Sequence, residues 1–486
     1  MKDRLPIIGG SLAFLIGHLV LVSYDLYWLA LLPLICFVVL GSFFKPEWVL
    51  FIIVISTPLS LNLEKLTLGM GISLPTEPLI FGLMLLFLYK VILEGFPDPR
   101  ILRHPMSILL AAYLLWTFIT TLTSTLFLVS LKHFVAQFWF VTTFYFLPLY
   151  FFRERNWMFR FPWAYILPLV VVVVYTLVRH SLTGFQEDPA HFVMTPFYKD
   201  HTSYGAALAL VTPVILERLF SKKVTTLQRI GLIALTLLFS VAIVFSYTRA
   251  TWVSLVGGLF IYTMMLLKVR FKYILLGILI GLGTFFYYQD QIMMRLQLNR
   301  QESSNSLQEH LHSISNVATD ASNLERLNRW KSAWKMFKDR PVFGFGPGTY
   351  QFKYAPYQNP ADKTVISTNF GIRGTAHSEY LGPLSESGAL GFLIRSGIVI
   401  YLFFMGFRLF RQLPKGRLRG LTIALFIGLT TYFTHGVLNN FLTRDKAAVP
   451  VWGFIAIMVA VDLYHKEAER KKAIEEGGAS SRLKSE

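Results

Sequence analysis

Two short stretches of this 486-residue chain combine residue types suited to phosphate and proton chemistry. The first is Ser246-Tyr247-Thr248-Arg249-Ala250-Thr251-Trp252, where two long apolar runs meet with almost no loop and Arg249 falls in the turn. A cation at an apolar boundary costs a few kcal/mol unless it is paired or reaches out to water. A guanidinium also offers planar, multidentate contacts to phosphate. Arg249 therefore reads either as an arginine reaching lipid headgroups or as a phosphate ligand in a site. The second stretch is Thr375-Ala376-His377-Ser378-Glu379-Tyr380-Leu381. An imidazole titrates near pH 6.5, which suits a general base, although a lone interfacial histidine more often serves packing. Continued as a helix, the segment would put His377, Leu381, Leu384, Gly388 and Gly391 on one face, with His377 at its outer mouth. Gly388 and Gly391 would then admit a neighbouring helix. A third and weaker stretch, Phe197 to Tyr204, carries Lys199 and His201 facing outward.

Two tempting motifs are set aside. Glu379 and Glu386 stand seven residues apart on that face, about 10 Å along the axis, and neither this separation nor the apolar setting suits paired-carboxylate hydrolysis. Phe343-Gly344-Phe345-Gly346-Pro347-Gly348-Thr349-Tyr350 follows no strand, so its glycines read as a tight, proline-fixed turn and not as a phosphate loop.

The elements that must position these residues follow from composition. The chain is 54% hydrophobic and only 15% charged, against roughly 25% charged in soluble domains, and its mean hydropathy is +0.51. A disordered chain, a collagen-like chain and an ordinary soluble enzyme are excluded. The single cysteine, Cys36, lies in an apolar run and excludes a disulfide framework and any cysteine-based zinc site. Runs of about 20 apolar residues, the length needed to cross a bilayer, number about fourteen. They fall near 6–23, 26–43, 48–63, 76–94, 105–127, 133–151, 162–178, 202–220, 229–246, 250–267, 272–288, 389–410, 419–438 and 447–464. The fold class is all-α: a polytopic transmembrane helical bundle of about 12–14 spans. The chain divides into N-terminal spans (1–180), spans bearing the outer arginine turn (181–288), a large outer loop (289–376), C-terminal spans (377–464) and a mixed-charge tail (465–486).

The formal net charge of +18 would suit nucleic acid in a soluble protein. Here it reports orientation. With the N-terminus inside, 27 of the 46 Lys and Arg fall on the cytoplasmic side, seven in short outer loops, eleven in the long outer loop, and one, Arg395, within a span. The positive-inside rule then places both termini in the cytoplasm. The basic, apolar N-terminus lacks a small-residue cleavage site and reads as an uncleaved first span. In the long loop, Gln301 to Ala321 is polar and expected to be mobile. From Ser322 a capping box with Glu325 starts an amphipathic helix bearing Leu327, Trp330, Trp334 and Phe337, which ends at Arg340-Pro341.

Taken together, these motifs resemble the O-antigen ligase and polymerase superfamily of bacterial membrane proteins. His377-Ser378, a nine-residue gap and Gly388-x-x-Gly391 resemble its H-[S/N]-x9-G signature. Asn323-x-Glu325-Arg326, Trp330 and Pro341-x-Phe343-Gly344-x-Gly346 resemble the stretch before it. Ser246-x-x-Arg249-x-x-Trp252 resembles its S-x-S-R-x-x-W turn, and Thr434-His435-Gly436 with Asn439 its C-terminal span. The resemblance covers roughly residues 190–464. It implies a glycosyltransferase in the bacterial inner membrane, working on the periplasmic face. The implied donor is a glycan on a polyprenyl diphosphate, and the implied acceptor is lipid A–core or another glycan. Membrane lipids are expected partners, and no nucleic acid, cofactor or metal is expected. His377 would be the base and Arg249 the diphosphate ligand, with Lys199, His201, Arg373 and Glu379 as secondary substrate contacts. A ligase is the first expectation. A polymerase joining lipid-linked repeat units and a transporter or flippase of lipid-linked sugars are the alternatives.

Overall fold

The computed structural model describes residues 5–23, 41, 43–62, 73–96, 98–298, 321–360, 363 and 374–468. Its long helices are α1 (Leu5–Ser23), α2 (Pro46–Ser56), α3 (Thr76–Glu94), α4 (Pro105–Leu122), α5 (Phe127–Phe151), α6 (Arg155–Ser181), α7 (His201–Phe220), α8 (Thr226–Val244), α9 (Arg249–Leu266), α10 (Phe271–Leu298), α11 (Ala321–Asp339), α12 (Leu381–Gln412), α13 (Arg417–His435) and α14 (Asp445–Ala468). Among the described residues, nine helices are long and apolar enough to cross a membrane: α3 to α9, α12 and α14. The span expected at 26–43 lies largely outside the described residues, as do most of Gln301–Ala321 and most of the tail. The run at 48–63 is cut short, because α2 ends in a 3₁₀ turn at Thr57–Leu59 and a two-stranded antiparallel hairpin follows, pairing Leu61 with Leu74 and Asn62 with Ser73.

Lipid-facing and core-facing helices differ in which side chains stay covered. On α8, Leu227, Ile230, Ile233, Leu237, Val241 and Val244 are all exposed. Their steps of three and four draw one apolar stripe, which water would not tolerate and acyl chains would. The 19-residue α13 is covered from Leu421 to Phe433 with the sole exception of Ile423. It carries Thr430 and Thr431 because its neighbours are protein and not lipid.

The α7, α9 and α13 trio packs closely through small residues. A Cβ at Gly428 would overlap the Leu210 carbonyl, and one at Gly258 would meet Thr431. At the outer end of the trio, a Cβ at Gly205 would overlap the Thr251 hydroxyl. Small residues are what allow backbones to approach where no hydrophobic force drives helices together. Beyond the membrane ends, α11 spans the residues expected of the amphipathic helix and ends one residue before Arg340-Pro341. The side chain of its expected cap, Ser322, lies outside the described residues.

The segment around His377 departs from expectation. It is not the first turn of a helix: α12 starts at Leu381, and His377 lies before it with φ 47°. Gly388 does not continue a helical face either. Its φ of 68° breaks α12, and a Cβ there would overlap the carbonyl of Val342. The reason is the Pro341–Tyr350 loop, which docks into the break. Ala389 N donates to Pro341 O (2.9 Å), Phe345 N to Ser385 O (3.1 Å) and Gly346 N to Glu386 O (2.9 Å). Gly391 behaves as expected, since it admits the Trp116 ring of α4.

Candidate active site

His377 sits where three segments between the long helices converge. Its own strand is held by α11: Arg329 Nη1 donates to Thr375 O (3.0 Å), while Arg329 Nε donates to Glu325 Oε1 (2.6 Å), one turn back on the same helix. The guanidinium also lies over the Tyr354 ring, 5.3 Å from its centre. Tyr350 OH donates to the Arg329 carbonyl (2.8 Å). Arg329 is only 6% exposed, so this is a built support and not a surface charge. Arg326, three residues earlier, adds a second guanidinium close enough to act on His377.

These charges set the histidine's protonation. Burial first, then Arg329 and Arg326, push His377 down from its ordinary 6.5 to about 3. The opposing effects of the Asn439 hydrogen bond and of Asp200 are smaller. In place of an ordinary imidazole, His377 is held neutral, by burial first and by the two nearby cations second. The Asn439 side chain thus faces the His377 ring. Asn439 lies on the far side of Gly436 in the α13–α14 connection, where its amide is 3.5 Å from His435 Nδ1. Both Asn439 and His435 are buried.

Arg249 begins α9, directly after the turn in which α8 ends at Val244. Trp252 Nε1 donates back to Ile243 O (3.2 Å), closing that turn. Thr248 Oγ1 donates to the His201 carbonyl (3.0 Å), and His201 Nδ1 donates to Ser246 O (3.1 Å). The arginine turn and the start of α7 are thus one unit. Asp200 caps α7 by accepting from Ser203 N (2.8 Å). Burial would raise its pKa, but Arg444 at 3.6 Å and these hydrogen bonds hold it below the usual carboxylate range. Asp200, His201 and Arg326 all act electrostatically on His435, and Asp200 and Arg326 act on His377 as well. Arg249, His201, Asp200, His435, Asn439, Arg326 and His377 therefore share the outer end of the α7, α9 and α13 trio. The His201 ring itself stacks edge-on against His191, 4.3 Å between centres.

The remaining candidates are placed differently. Glu379 is 5% exposed and turned inward. Its Oε2 accepts from Arg395 Nη2 (2.6 Å), and its Oε1 accepts from Tyr432 OH (2.8 Å), Phe441 N (2.7 Å) and Leu442 N (3.0 Å). Glu379 N also donates to Gly436 O (2.8 Å). Two residues from His377, it ties the histidine's segment to the segment that carries Asn439. Its partner Arg395, which the sequence marks as a lone charge in a span, is thereby paired. Lys199, two residues before α7, is exposed and lines a separate cavity. Arg373 lies outside the described residues.

Residues 234–396 match the family model described as O-antigen ligase. That stretch is about a third of the chain, and it is similar to the O-antigen ligase family. No curated protein matches the chain. The matched stretch holds Arg249, Arg326, Arg329, His377, Glu379 and Arg395. Asp200, His201, His435 and Asn439 come from flanking segments that fold back onto it. The nine long apolar helices among the described residues and this similarity point the same way, to a membrane protein resembling O-antigen ligases over residues 234–396. In the sequence, Arg326 figures only in the Asn323-x-Glu325-Arg326 resemblance, and nothing in the amphipathic pattern of the helix marks Arg329 as turned inward.

Proposed function

We propose that this protein transfers a glycan from a polyprenyl diphosphate carrier to an acceptor hydroxyl on the periplasmic face, and that the acceptor is lipid A–core. The observation carrying this reading is the half-buried, neutral His377 within electrostatic reach of Arg326 and Arg329, at the end of the trio that also carries Arg249. A diphosphate diester brings two negative charges, and the guanidiniums offer a matching cradle. The acceptor oxygen attacks the anomeric carbon as the bond from that carbon to the phosphate oxygen breaks. The acceptor proton passes to a ring nitrogen of His377, and the carrier leaves as its diphosphate. Charge building on the leaving oxygen is met by Arg249 and Arg326, groups already fixed in place. Bound diphosphate also offsets the two cations, which raises the basicity of His377 only when donor is present.

The test is lipopolysaccharide from a deletion strain carrying plasmid-borne variants. Polymer left on the lipid carrier supports a ligase, and a core bearing one repeat unit indicates a polymerase. Unchanged lipopolysaccharide overturns both. His377→Ala and Arg249→Ala are each expected to reproduce the deletion with expression intact.

A further inference from the structure

A second cavity of about 1190 Å³ lies next to this site without including His377, Arg249 or Arg326. Its rim carries Lys132, Arg179 and Lys199, all exposed; with Arg444 and Lys446 these cations outnumber the two carboxylates of the lining, Glu77 and Asp445. Its throat runs between α5 and α7 and is lined by Ala136, Trp139, Ala206, Ala207 and Leu210. Leu210 lies nine residues into α7, about 13 Å from its start at 1.5 Å per residue. A cationic rim over an apolar throat of that depth fits neither a free sugar nor a neutral lipid: the first has no use for the throat, the second none for the charges. It fits an anionic lipid with its head at the rim and part of its tail below.

The cavity also has a defined relation to the base. Arg444 lines it and reaches Asp200 at 3.6 Å, and Asp200 acts electrostatically on His377. Tyr432 and Phe441 line it too, and both bond to Glu379, the anchor of the His377 segment. We propose that this cavity seats the acceptor, an anionic phosphorylated glycolipid, separately from the donor diphosphate at Arg249 and Arg326. The inference rests on the transfer reaction proposed above. It gives that reaction two seats, so that the acceptor hydroxyl approaches His377 from one side and the leaving diphosphate departs on the other.

The test uses the full chain in detergent, with rough lipopolysaccharide, its dephosphorylated form and undecaprenyl diphosphate as probes, read by native mass spectrometry and by transfer kinetics. Ala136→Trp fills the throat and Lys132→Ala removes a rim charge, so one variant's misfolding leaves the other informative. Each is expected to lower retention of rough lipopolysaccharide at least tenfold and raise its KM similarly, with undecaprenyl diphosphate retention and donor KM within twofold of wild type. Dephosphorylated lipopolysaccharide should bind the wild type at least tenfold more weakly. Loss of undecaprenyl diphosphate instead would make this the donor's seat and overturn the assignment, as would unchanged retention of every probe. Should the wild type bind in this pattern yet transfer nothing, the cavity stands as a glycolipid site and the proposed reaction falls.

Discussion

The electrostatics of His377 are unusual for a base, because burial and the two arginines of α11 hold it at about 3 in the free protein. An unperturbed imidazole, with a pKa of about 6.5, would cost about thirtyfold in active form at pH 5. With the folded value lowered, the neutral form persists as pH falls. The kcat/KM profile, which reports free enzyme, should therefore stay flat from pH 7 to pH 5, and an acid limb near 6.5 would show that Arg326 and Arg329 do not act on this ring. The same shift has a stability consequence of opposite appearance. The unfolded chain takes up a proton below about 6.5 and the folded one only near 3, so His377 withdraws stability progressively between those values. Glu379 illustrates a different use of charge. Its four hydrogen bonds and the Arg395 pair are buried, so Glu379→Ala should cost about 3–5 kcal/mol by leaving Arg395 uncompensated. The double variant Glu379→Gln/Arg395→Met should recover most of that stability in thermal melts while still lowering transfer, because a neutral amide holds Phe441 N and Leu442 N, and with them the connection bearing Asn439, less firmly than the carboxylate does. Full recovery of transfer would reduce Glu379 to a packing residue.

Among the elements, the break in α12 is the most consequential. Helices interrupted inside a membrane often expose their ends to a transported substrate. Here the break at Gly388 is filled by the Pro341–Tyr350 loop, whose amides bond Ser385, Glu386 and, from Tyr350 N, the Glu386 carboxylate (3.0 Å). The glycine-rich loop thus wraps an acidic side chain of its own protein, which explains why a G-x-G pattern occurs with no nucleotide to hold. It also couples α11, and with it Arg326 and Arg329, to α12 and His377. Gly388→Ala combines an unfavourable φ with overlap at Val342 O, so it should loosen this joint. The expected result is a fall in melting temperature together with at least a tenfold loss of transfer. A variant as stable and active as wild type would mean that the loop docks elsewhere.

For the whole molecule, the asymmetry of basic residues and the outer clustering of polar chemistry are two sides of one arrangement. Clusters at the other end are structural: Asp462 pairs with His104, Arg408 and Lys466, and Asp98 with Arg100 and Arg153. These tie α4, α12 and α14 together at the end opposite His377. The proposed orientation is checked by fusions. A green fluorescent protein at the C-terminus should fluoresce, and alkaline phosphatase inserted within 301–320 should be active. The reverse pattern would move the site to the cytoplasmic face.

Much of this was legible in the chain itself. Apolar run length marks helices in lipid, because the backbone there must satisfy its own hydrogen bonds, and α3 to α9, α12 and α14 lie where the runs predict. The Ser246–Trp252 turn and the start of α7 were readable for the same local reason. What the sequence did not reveal depends on non-local contact. The left-handed backbone at His377, the break at Gly388 and the inward turn of Glu379 all arise from segments 30 to 60 residues away that press against them. The neutrality of His377 likewise follows from two arginines on a helix that ends 38 residues before it. Sequence determined which residues could accept a proton or hold a phosphate. Only tertiary structure decided which of them share a pocket, because electrostatics and desolvation act through space and not along the chain.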